Sequence, residues 1–406
     1  MNILYVCHRF PFPPKRGGKI RPFNMISHLH RRGHKVWVAS MARSEVEATE
    51  AEGIADHCHD YFVARVGTFK QAVRMALRVP TLIPASMGYF YSRSLDHYIR
   101  GVLANHRIDL IFVHCSSVAP YVSRIRGIPK ILDFGDMDSQ KWLSYTHFKP
   151  LLLRPGYWWE GVRLERAEKS LAKQFDLCTA TTRREWETLE AYGTGVETDW
   201  FPNGVDGSYF SPSDEDYDRR AISFVGRMDY YPNQECMLRF CRQILPLLKL
   251  RVPDLKLYIV GAEPSRVILD LARIDGVTVT GSVPDVRPYV RRTAAMVAPL
   301  AIARGTQNKI LESMAMGVPV VSSPSASGGI DAVSGEHFLV ADAPEDWASQ
   351  ILRLLENPAE RMSFAAAGRR RVLAQHDWKA SMERLDGIVA GCLARYRQAP
   401  PHQARD

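Results

Sequence analysis

The stretch APLAIARGTQNKILESMAMGVPVV, residues 298–321, joins an apolar strand end to a glycine turn, a helix and a second apolar strand. Gly305 permits a close backbone approach after the first strand, and the N-terminus of the following helix can face a phosphate group. Lys309 and Glu312 stand three positions apart and therefore share one face of that helix. A cation near phosphates and a carboxylate near sugar hydroxyls fit nucleotide chemistry. A solvated ion pair, which is frequent on helices, is the alternative.

On either side of this stretch, short apolar runs rich in β-branched residues alternate with longer amphipathic segments, which is typical of βαβ units and a parallel sheet. The alternation stops at residues 201–220, where Pro, Gly, Ser and Asp cluster, and then restarts. We therefore expect an α/β protein with two doubly wound, Rossmann-like domains. The predicted boundaries are an N-terminal domain at 1–205, a linker at 206–220, a C-terminal domain at 221–376 and a C-terminal helix at 377–398.

Composition limits the classes of function. The chain has 406 residues, more than a single core usually fills, and its seven cysteines include no Cys-x-x-Cys pair, which argues against a disulfide framework or a structural zinc site. No apolar run is long enough to span a membrane, and MNILYVCHRF is typical of a first strand rather than a signal peptide, so we expect a cytoplasmic protein. A net charge of +9 indicates an acidic partner. Since zinc-finger, RNA-recognition and basic heptad patterns are absent from the sequence, we do not expect nucleic acid.

Two further strand ends carry glycine and basic residues. Gly17 and Gly18 follow the first strand at the start of a helix, and in SFVGRM, residues 223–228, a buried strand ends at Gly226 before Arg227. Ligands of open α/β sheets lie beyond the carboxyl ends of strands, where glycine N–H groups can bind phosphate and a guanidinium can hold two phosphate oxygens. A tight turn and a surface arginine are the simpler explanations of these two motifs.

Five motifs occur in an order that resembles the retaining glycosyltransferases of family 4, also called group 1, which have the two-domain GT-B fold. These motifs are the glycine loop after the first strand, NGVD, FVGRM, GSVPDV and KILESMAMGVPVV. The resemblance covers most of the chain, and the last block is its most specific part. Three stretches look more narrowly like the sugar transferases of exosortase and exopolysaccharide gene systems. They are HRFPFPPKRGGKIRPFN, LDFGDMDSQKW and IARGTQNKILESMAMG.

The resemblance implies two domains that face each other across a cleft, with C-terminal helices packing back and the last helix returning to the N-terminal domain. It implies transfer of a sugar, with retention, from a nucleotide-diphosphate sugar to a hydroxyl of a glycan or lipid-linked acceptor. Exopolysaccharide or cell-surface glycan synthesis would be the setting. No cofactor and no metal ion are expected.

The resemblance also assigns roles to individual residues. Glu312 would bind the ribose hydroxyls, Arg227 would hold the diphosphate, and His114, at the end of IDLIFVH, would lie near the anomeric carbon. The residues expected to act in catalysis are His114, Arg227 and Lys309. The residues expected to bind the donor are Gly17, Gly18, Asn203, Gly226, Arg227, Gly305, Thr306, Gln307, Asn308, Lys309 and Glu312.

Two positions depart from the family pattern. Arg304 stands where the first of two glutamates is usual in the last block, and Asn233 stands where a basic residue usually follows Arg227. The first glutamate often contacts the donor sugar, so the identity of the sugar stays open. We predict that Lys309 and Arg304 supply the positive charge that Asn233 lacks.

Two other segments have alternative interpretations. Asp136 and Asp138 in DFGDMDS could share a hard cation or cap the following helix, and we predict instead an acceptor-facing loop without metal. Residues 148–169, FKPLLLRPGYWWEGVRLERAEK, mix aromatic, apolar and basic side chains as interfacial membrane segments do, whereas an amphipathic helix with an aromatic core face is the more ordinary explanation. A peripheral contact with the inner face of the membrane would bring the protein to lipid-linked acceptors.

Two rival functions stay open at this point. An epimerase of nucleotide sugars can share the fold, but it would need additional acid and base carboxylates near His114, and we identify none. A non-catalytic protein that binds nucleotide sugars would fit the absence of the first glutamate.

Overall fold

The computed structural model describes residues 1–14, 17–79 and 81–398 and consists of two compact units. The first unit contains Met1–Phe201 and the chain from Met382 on, and the second contains Pro202–Ser381. The stretch predicted as a linker, 206–220, belongs to the second unit, and its last residues already form the start of a strand.

The first unit is built on a seven-stranded sheet. Its strands are β1 (Asn2–Cys7), β2 (Lys35–Ala42), β3 (Asp60–Arg65), β4 (Leu110–His114), β5 (Lys130–Gly135), β6 (Leu177–Ala180) and β7 (Glu197–Trp200). The strands pair in parallel in the order β3-β2-β1-β4-β5-β6-β7. β1, β4 and β5 are buried along nearly their whole length, as expected for central strands covered on both faces, and this explains their continuous apolar sequences.

Helices connect these strands. They are α1 (Gly17–Arg31), α2 (Glu45–Thr49), α3 (Thr68–Arg78), α4 (Ala85–Tyr89), α5 (Arg93–Asn105), α6 (Asp138–Tyr145), α7 (Arg154–Ala172) and α8 (Arg183–Glu190). Short 3₁₀ turns cover Glu50–His57, Ser116–Tyr121 and Leu151–Leu153. The amphipathic pattern predicts helices at 18–32, 92–105, 157–174 and 183–192, which correspond to α1, α5, α7 and α8, whereas α2, α3, α4 and α6 were not predicted.

The second unit repeats this topology with one strand fewer. Its strands are β8 (Asp218–Val225), β9 (Lys256–Val260), β10 (Val277–Gly281), β11 (Thr293–Ala298), β12 (Val320–Ser322) and β13 (Leu339–Val340), in the parallel order β10-β9-β8-β11-β12-β13. Its helices are α9 (Tyr231–Arg239), α10 (Leu245–Arg251), α11 (Arg266–Leu269), α12 (Arg287–Arg291), α13 (Asn308–Ala315), α14 (Pro324–Ser327), α15 (Pro344–Glu356) and α16 (Pro358–Gln375). The last helix, α17 (Trp378–Gln398), starts in the second unit and continues in the first.

One predicted helix is interrupted. The apolar pattern of residues 233–249 predicts a single helix, but the wide π turn Phe240–Ile244 separates α9 from α10. Pro246 has no N–H group to donate to the carbonyl of Arg242, and a wider turn accommodates this missing hydrogen bond. The prediction therefore gives the right range of residues for this helical segment, but it misses the π turn that interrupts it.

Both sheets are doubly wound, which confirms the predicted fold class. The strand order reverses between β1 and β4 in the first unit and between β8 and β11 in the second. Ligands of such sheets bind beyond the carboxyl ends of the strands at these reversals. His114 ends β4 and Gly226 follows β8, so both predicted site residues lie at a reversal.

The interior of each unit is apolar. All seven cysteines are buried and none forms a disulfide bond, which agrees with a packing role. Within the described ranges, no helix combines the length and the apolar character needed to cross a bilayer.

Candidate functional site

The end of β8 contacts the start of α13 in the second unit. We call this region the β8–β11 corner, and it comprises Gly226, Arg227 and residues 305–312. A Cβ atom at Gly226 would lie 2.7 Å from Asn233 Nδ2 and 2.9 Å from Lys309 Nζ. A larger residue at this strand end would displace the polar ends of these two side chains.

Two further glycines let backbone segments approach each other at the corner. Gly261 follows β9 with a φ of +152°, and a Cβ atom there would lie 1.8 Å from the carbonyl oxygen of Gly226. Gly305 has a φ of +64°, and a Cβ atom at Gly329 would lie 2.0 Å from its carbonyl oxygen. The close packing requires glycine at these positions and shapes the turn before α13.

The N-terminus of α13 has no side-chain cap. Gln307 occupies the N-cap position, but its amide donates to the carbonyl of Arg304 at 3.2 Å instead of serving the helix. Thr306 Oγ1 and Asn308 Oδ1 are buried and have no hydrogen-bond partner among the described residues. Buried polar atoms without partners are costly and rare in folded proteins, so a ligand with hydrogen-bonding groups is the expected partner here.

Lys309 and Glu312 are the charged residues of α13. Lys309 Nζ donates to Asn233 Oδ1 at 2.9 Å and lies 4.1 Å from the centre of the Phe224 ring. Burial lowers the pKa of Lys309 to about 8, although Cys236 and Glu312 act in the opposite direction. Burial also raises the pKa of Glu312 to about 7, which the Lys309 charge partly offsets. Both side chains are half-buried rather than exposed, and burial shifts both pKa values, so the structure does not favour the alternative of a solvated ion pair.

Arg227 is held by two carboxylates that the sequence reasoning missed. Its Nε and Nη2 atoms donate to Asp229 at 3.0 Å and 2.7 Å, and Nη2 also donates to Glu263. The hydrogen bond to Asp229 is the main reason that the pKa of Arg227 is raised. A phosphate group at this guanidinium would therefore share it with two acids. The positive φ of Glu263, +56°, is an unusual backbone feature that cannot be inferred from the sequence.

Asn203 occupies a different environment from the corner residues. Its carbonyl oxygen accepts a hydrogen bond from His376 Nδ1 at 3.0 Å, and a Cβ atom at the next residue, Gly204, would lie 2.5 Å from Trp378 N. The NGVD motif is thus packed against the segment between α16 and α17. This contact gives the motif a structural role.

In the first unit, His114 lies at the carboxyl end of β4. Its Nδ1 atom is 2.7 Å from Asp133 Oδ2 on β5. A carboxylate only accepts hydrogen bonds, so His114 donates through Nδ1 and presents Nε2 as its other polar atom. The next residue, Cys115, has a φ of +85°, and Gly135 leaves room for the imidazole because its own Cβ would be 3.3 Å from His114 Cε1. Strain of this kind next to a histidine is typical of functional sites.

Asp133 organises this part of the sheet. It is fully buried and accepts hydrogen bonds from Arg21 Nε at 2.9 Å, from Arg21 Nη2 at 3.0 Å and from Thr179 Oγ1 at 2.9 Å, in addition to His114. Burial alone would raise the pKa of the Asp133 carboxyl, but Arg21 and His114 hold it well below its usual range. The carboxylate therefore stays ionised and fixes the orientation of the imidazole.

Two residues at the same edge were not predicted. His8 and Arg9 follow β1, the ring of His8 lies 5.8 Å from that of His114, and the atoms His8 Nδ1 and Arg9 Nε are buried without partners in the described part of the chain. Burial is the main reason that the pKa of His8 is lowered, and Arg9 is the next cause. The position of CHRF directly after the first strand of a doubly wound sheet is the signal that would have identified them.

The remaining predicted residues lie near this edge. Gly17 and Gly18 open α1 and are exposed, and a Cβ atom at Gly18 would be 3.6 Å from Arg9 Nη1. Asp138 is the first residue of α6, where Met137 rather than an aspartate occupies the N-cap position, and Asp136 is exposed. The alternative of helix capping by Asp136 or Asp138 is therefore wrong. No group of three or more potential ligands is arranged to hold a metal ion within the residues described.

Sequence models of two glycosyltransferase families match the chain. Residues 219–357 match the model described as Glycosyl transferases group 1, and residues 16–209 match Glycosyltransferase Family 4. Both sheets and both candidate regions fall within these matches, except for β1, His8, Arg9 and the first residue of β8.

Curated relatives are between 21% and 27% identical to the chain over the segments that align. A GDP-mannose-dependent alpha-(1-6)-phosphatidylinositol monomannoside mannosyltransferase from Mycolicibacterium smegmatis is 27% identical over 50% of this chain and 58% of the relative. A D-inositol 3-phosphate glycosyltransferase from Rhodococcus opacus is 26% identical over 62% of this chain and 59% of the relative. An uncharacterized 44.6 kDa protein in the cps region of Klebsiella pneumoniae is 21% identical over 88% of this chain and 91% of that protein. The chain thus spans less than two thirds of the two named enzymes.

Solved structures with the same fold cover nearly the whole chain. Sucrose-phosphate synthase from Thermosynechococcus elongatus superposes with a TM-score of 0.71 at 17% identity, over 97% of this chain and 100% of that one. Anabaena HepE in complex with UDP superposes with a TM-score of 0.69 at 15% identity, over 96% of this chain and 100% of that one. At these identities the similarity establishes the fold.

Proposed function

We propose, because the chain belongs to the group 1 glycosyltransferases of the GT-B fold, that it transfers a sugar from a nucleotide-diphosphate sugar to a hydroxyl acceptor with retention of configuration. The acceptor would be a glycan or a lipid-linked sugar in exopolysaccharide or cell-surface glycan synthesis at the inner face of the membrane. The mannosyltransferase relative supports this acceptor class, since its name specifies a phosphatidylinositol monomannoside.

The observation that carries the proposal is the set of unpartnered polar atoms at the β8–β11 corner. Thr306 Oγ1 and Asn308 Oδ1 are buried beside an uncapped helix N-terminus, whose N–H groups and dipole favour an anion. A diphosphate would satisfy the N–H groups, and the hydroxyls of a ribose would donate to Glu312. Lys309 would add a positive charge in a desolvated environment, where electrostatic attraction is strong.

The position of Lys309 supports the predicted substitution of charge. Its ammonium contacts Asn233, which stands where a basic residue is usual in the family. Lys309 thus places a cation next to Asn233 and would compensate for the missing side chain. The carbonyl oxygen of Arg304 accepts a hydrogen bond from Gln307, and this backbone contact does not bear on a phosphate role for the side chain.

The chemical step would rely on positioning and on stabilisation of the leaving diphosphate. We infer from the family resemblance that His114 acts near the anomeric carbon, with Asp133 as the residue that positions its ring. Asp133 is not available as a nucleophile, because Arg21, Thr179 and His114 occupy its carboxylate. A front-face reaction, in which the leaving diphosphate helps to deprotonate the acceptor, fits this arrangement.

Nucleotide binding is expected to depend on Glu312. In a thermal-shift screen with nucleoside diphosphates, one of them should raise the melting temperature of the protein, because a ligand that binds only the native state stabilises it. The variant Glu312→Ala should lose this rise, since the hydroxyls of the ribose lose their acceptor. Glu345→Ala is the matched control because Glu345 is an exposed glutamate of the same unit, on α15. If no nucleotide stabilises the wild-type protein, the proposed donor site is wrong.

Donor affinity is expected to be highest between pH 7 and pH 8. The raised pKa of Glu312, about 7, means that the carboxylate becomes protonated as the pH falls below 7 and loses its charge as an acceptor. The lowered pKa of Lys309, about 8, means that the ammonium is lost as the pH rises above 8. The test is calorimetric titration with an intact nucleotide sugar, whose diphosphate does not titrate in this range. Glu312→Gln should abolish the decrease on the acid side and keep the decrease on the alkaline side; a profile with both decreases unchanged would contradict the assignment.

A further inference from the structure

Two stretches of the first unit carry basic residues and no acidic ones. Residues 61–95 contain five Lys or Arg and no Asp or Glu, and residues 139–159 contain three Lys or Arg and no Asp or Glu. The whole chain has 44 acidic residues in 406, so their absence from both stretches makes this part of the protein strongly cationic. The structure brings the two stretches together.

Helix α3, within the first stretch, is amphipathic with its apolar side turned to solvent. Three apolar residues recur on it at a spacing of four and are exposed: Phe69 (82%), Val73 (44%) and Leu77 (70%). Polar side chains bind this helix to the protein, because Gln71 is buried and Arg74 Nη1 donates to the carbonyl of Tyr91 at 2.5 Å. This arrangement is the reverse of an ordinary surface helix, whose apolar side faces the core.

The chain after α3 is fixed to α7 by a buried ion pair. Arg163 Nη1 donates to the carbonyls of Arg78, Val79 and Thr81 at 3.0, 3.0 and 2.7 Å. Its ion-pair partner Glu160 accepts from the N–H groups of Ala85 and Ser86 at 3.1 and 2.8 Å. The apolar residues held in this segment are exposed: Val79 (56%), Leu82 (73%) and Ile83 (53%). Their exposure therefore comes from a specific set of bonds.

The second stretch adds apolar and aromatic side chains at the start of α7. These are Leu151 (74%), Leu152 (95%), Leu153 (53%), Trp158 (54%) and Trp159 (36%). The guanidinium of Arg163 lies 5.8 Å from the centre of the Trp159 ring, so the same arginine connects both groups of residues. We call the combined apolar residues of 69–83 and 151–159 the α3–α7 surface.

We propose that the α3–α7 surface docks the enzyme on a bilayer that contains anionic lipids. Leucine, phenylalanine and tryptophan side chains insert at the boundary between headgroups and acyl chains, and the surrounding Arg and Lys residues attract anionic headgroups. The charge selects a bilayer of this kind, because the two stretches that supply the apolar residues contain Lys and Arg but no Asp or Glu and are therefore complementary to anionic headgroups. The inference rests on the proposed function and deepens it, because it names the surface that would bring the enzyme to a lipid-linked acceptor.

Co-sedimentation with vesicles tests the inference on the full chain. Wild-type protein should bind vesicles of phosphatidylcholine with phosphatidylglycerol, bind pure phosphatidylcholine vesicles less, and bind less at high salt. The double variant Leu77→Glu/Leu152→Glu should lower the partition coefficient about tenfold or more, since two apolar anchors become charged. Leu250→Glu is the matched control, because Leu250 is 79% exposed and lies on α10 in the second unit. It should bind like the wild type.

Several results would overturn the inference. They are equal binding of the double variant and the wild type, equal loss in the double variant and in Leu250→Glu, and equal binding to neutral and anionic vesicles. A further one is a wild-type dimer that the double variant abolishes, since a second copy of the chain would then cover the surface. Melting temperatures without vesicles check that the variants are folded. The nucleotide thermal shift on the same preparations separates the two proposals, because vesicle binding needs no donor site.

Discussion

Lys309→Met is expected to lower kcat/KM for the nucleotide-sugar donor by about 100-fold or more, the effect of removing one electrostatic contact to a developing negative charge in a desolvated site. The ammonium of Lys309 lies beside Gly226 and Asn233 at the end of β8, where a diphosphate would need a cation. Methionine keeps the volume of the side chain. Since burial already disfavours the charged lysine, the melting temperature of the variant should stay the same or rise.

A compensating substitution makes this prediction specific. Asn233→Lys on the Lys309→Met background restores a cation close to the lost one, because Asn233 Oδ1 and Lys309 Nζ are 2.9 Å apart in the wild type. The double variant should recover part of the lost kcat/KM. Lys256→Met, which removes an exposed lysine paired with Asp218 in the same unit, is the control and should leave kcat/KM unchanged. An undiminished kcat/KM in Lys309→Met would show that the charge of Lys309 takes no part in catalysis.

The fold follows from the sequence because parallel sheets impose a strong pattern. Strands buried on both faces, such as β1 with NILYVC and β11 with TAAMVA, have continuous apolar runs, and the helices between them have polar and apolar sides. α3 does carry a helical pattern, since Phe69, Val73 and Leu77 recur at a spacing of four. Periodicity cannot reveal that this apolar side faces solvent, because that orientation comes from polar contacts between the helix and the carbonyl of Tyr91.

The candidate site is predictable only in part, for a different reason. Gly305, Lys309 and Glu312 lie in one continuous stretch, so their spacing on a helix already places them together. The partners of Arg227, by contrast, include Glu263, which follows a different strand, and the contact between His8 and His114 joins residues more than a hundred positions apart. Pairs that only the strand order brings together cannot be found from local patterns.

Asp133→Ala is expected to destabilise the first unit by about 3–5 kcal/mol, the usual cost of leaving one member of a buried ion pair without its partner. In the wild type, Arg21 makes two hydrogen bonds to the Asp133 carboxylate, a third to the carbonyl of Phe201 at 2.9 Å, and stacks 3.7 Å from the Phe201 ring. The variant keeps the guanidinium in this buried place and removes the charge that neutralises it. His114 loses its hydrogen-bond partner in the same step.

Hydrogen exchange measured by mass spectrometry can locate this loss. Peptides of β1, β4 and β5 should exchange faster in Asp133→Ala, while peptides of β8 and β11 should be unchanged, because the substituted residue belongs to the first unit. Asp386→Ala is the matched control, since it removes a partly exposed ion pair with Arg32, which typically contributes about 0–1 kcal/mol, and a hydrogen bond with His28. Arg21→Met/Asp133→Leu should recover much of the stability, because both charges are then absent. It should not recover turnover, since a leucine side chain has no hydrogen-bond acceptor with which to orient His114. If the double variant regained full activity, the Asp133–His114 contact would be structural only.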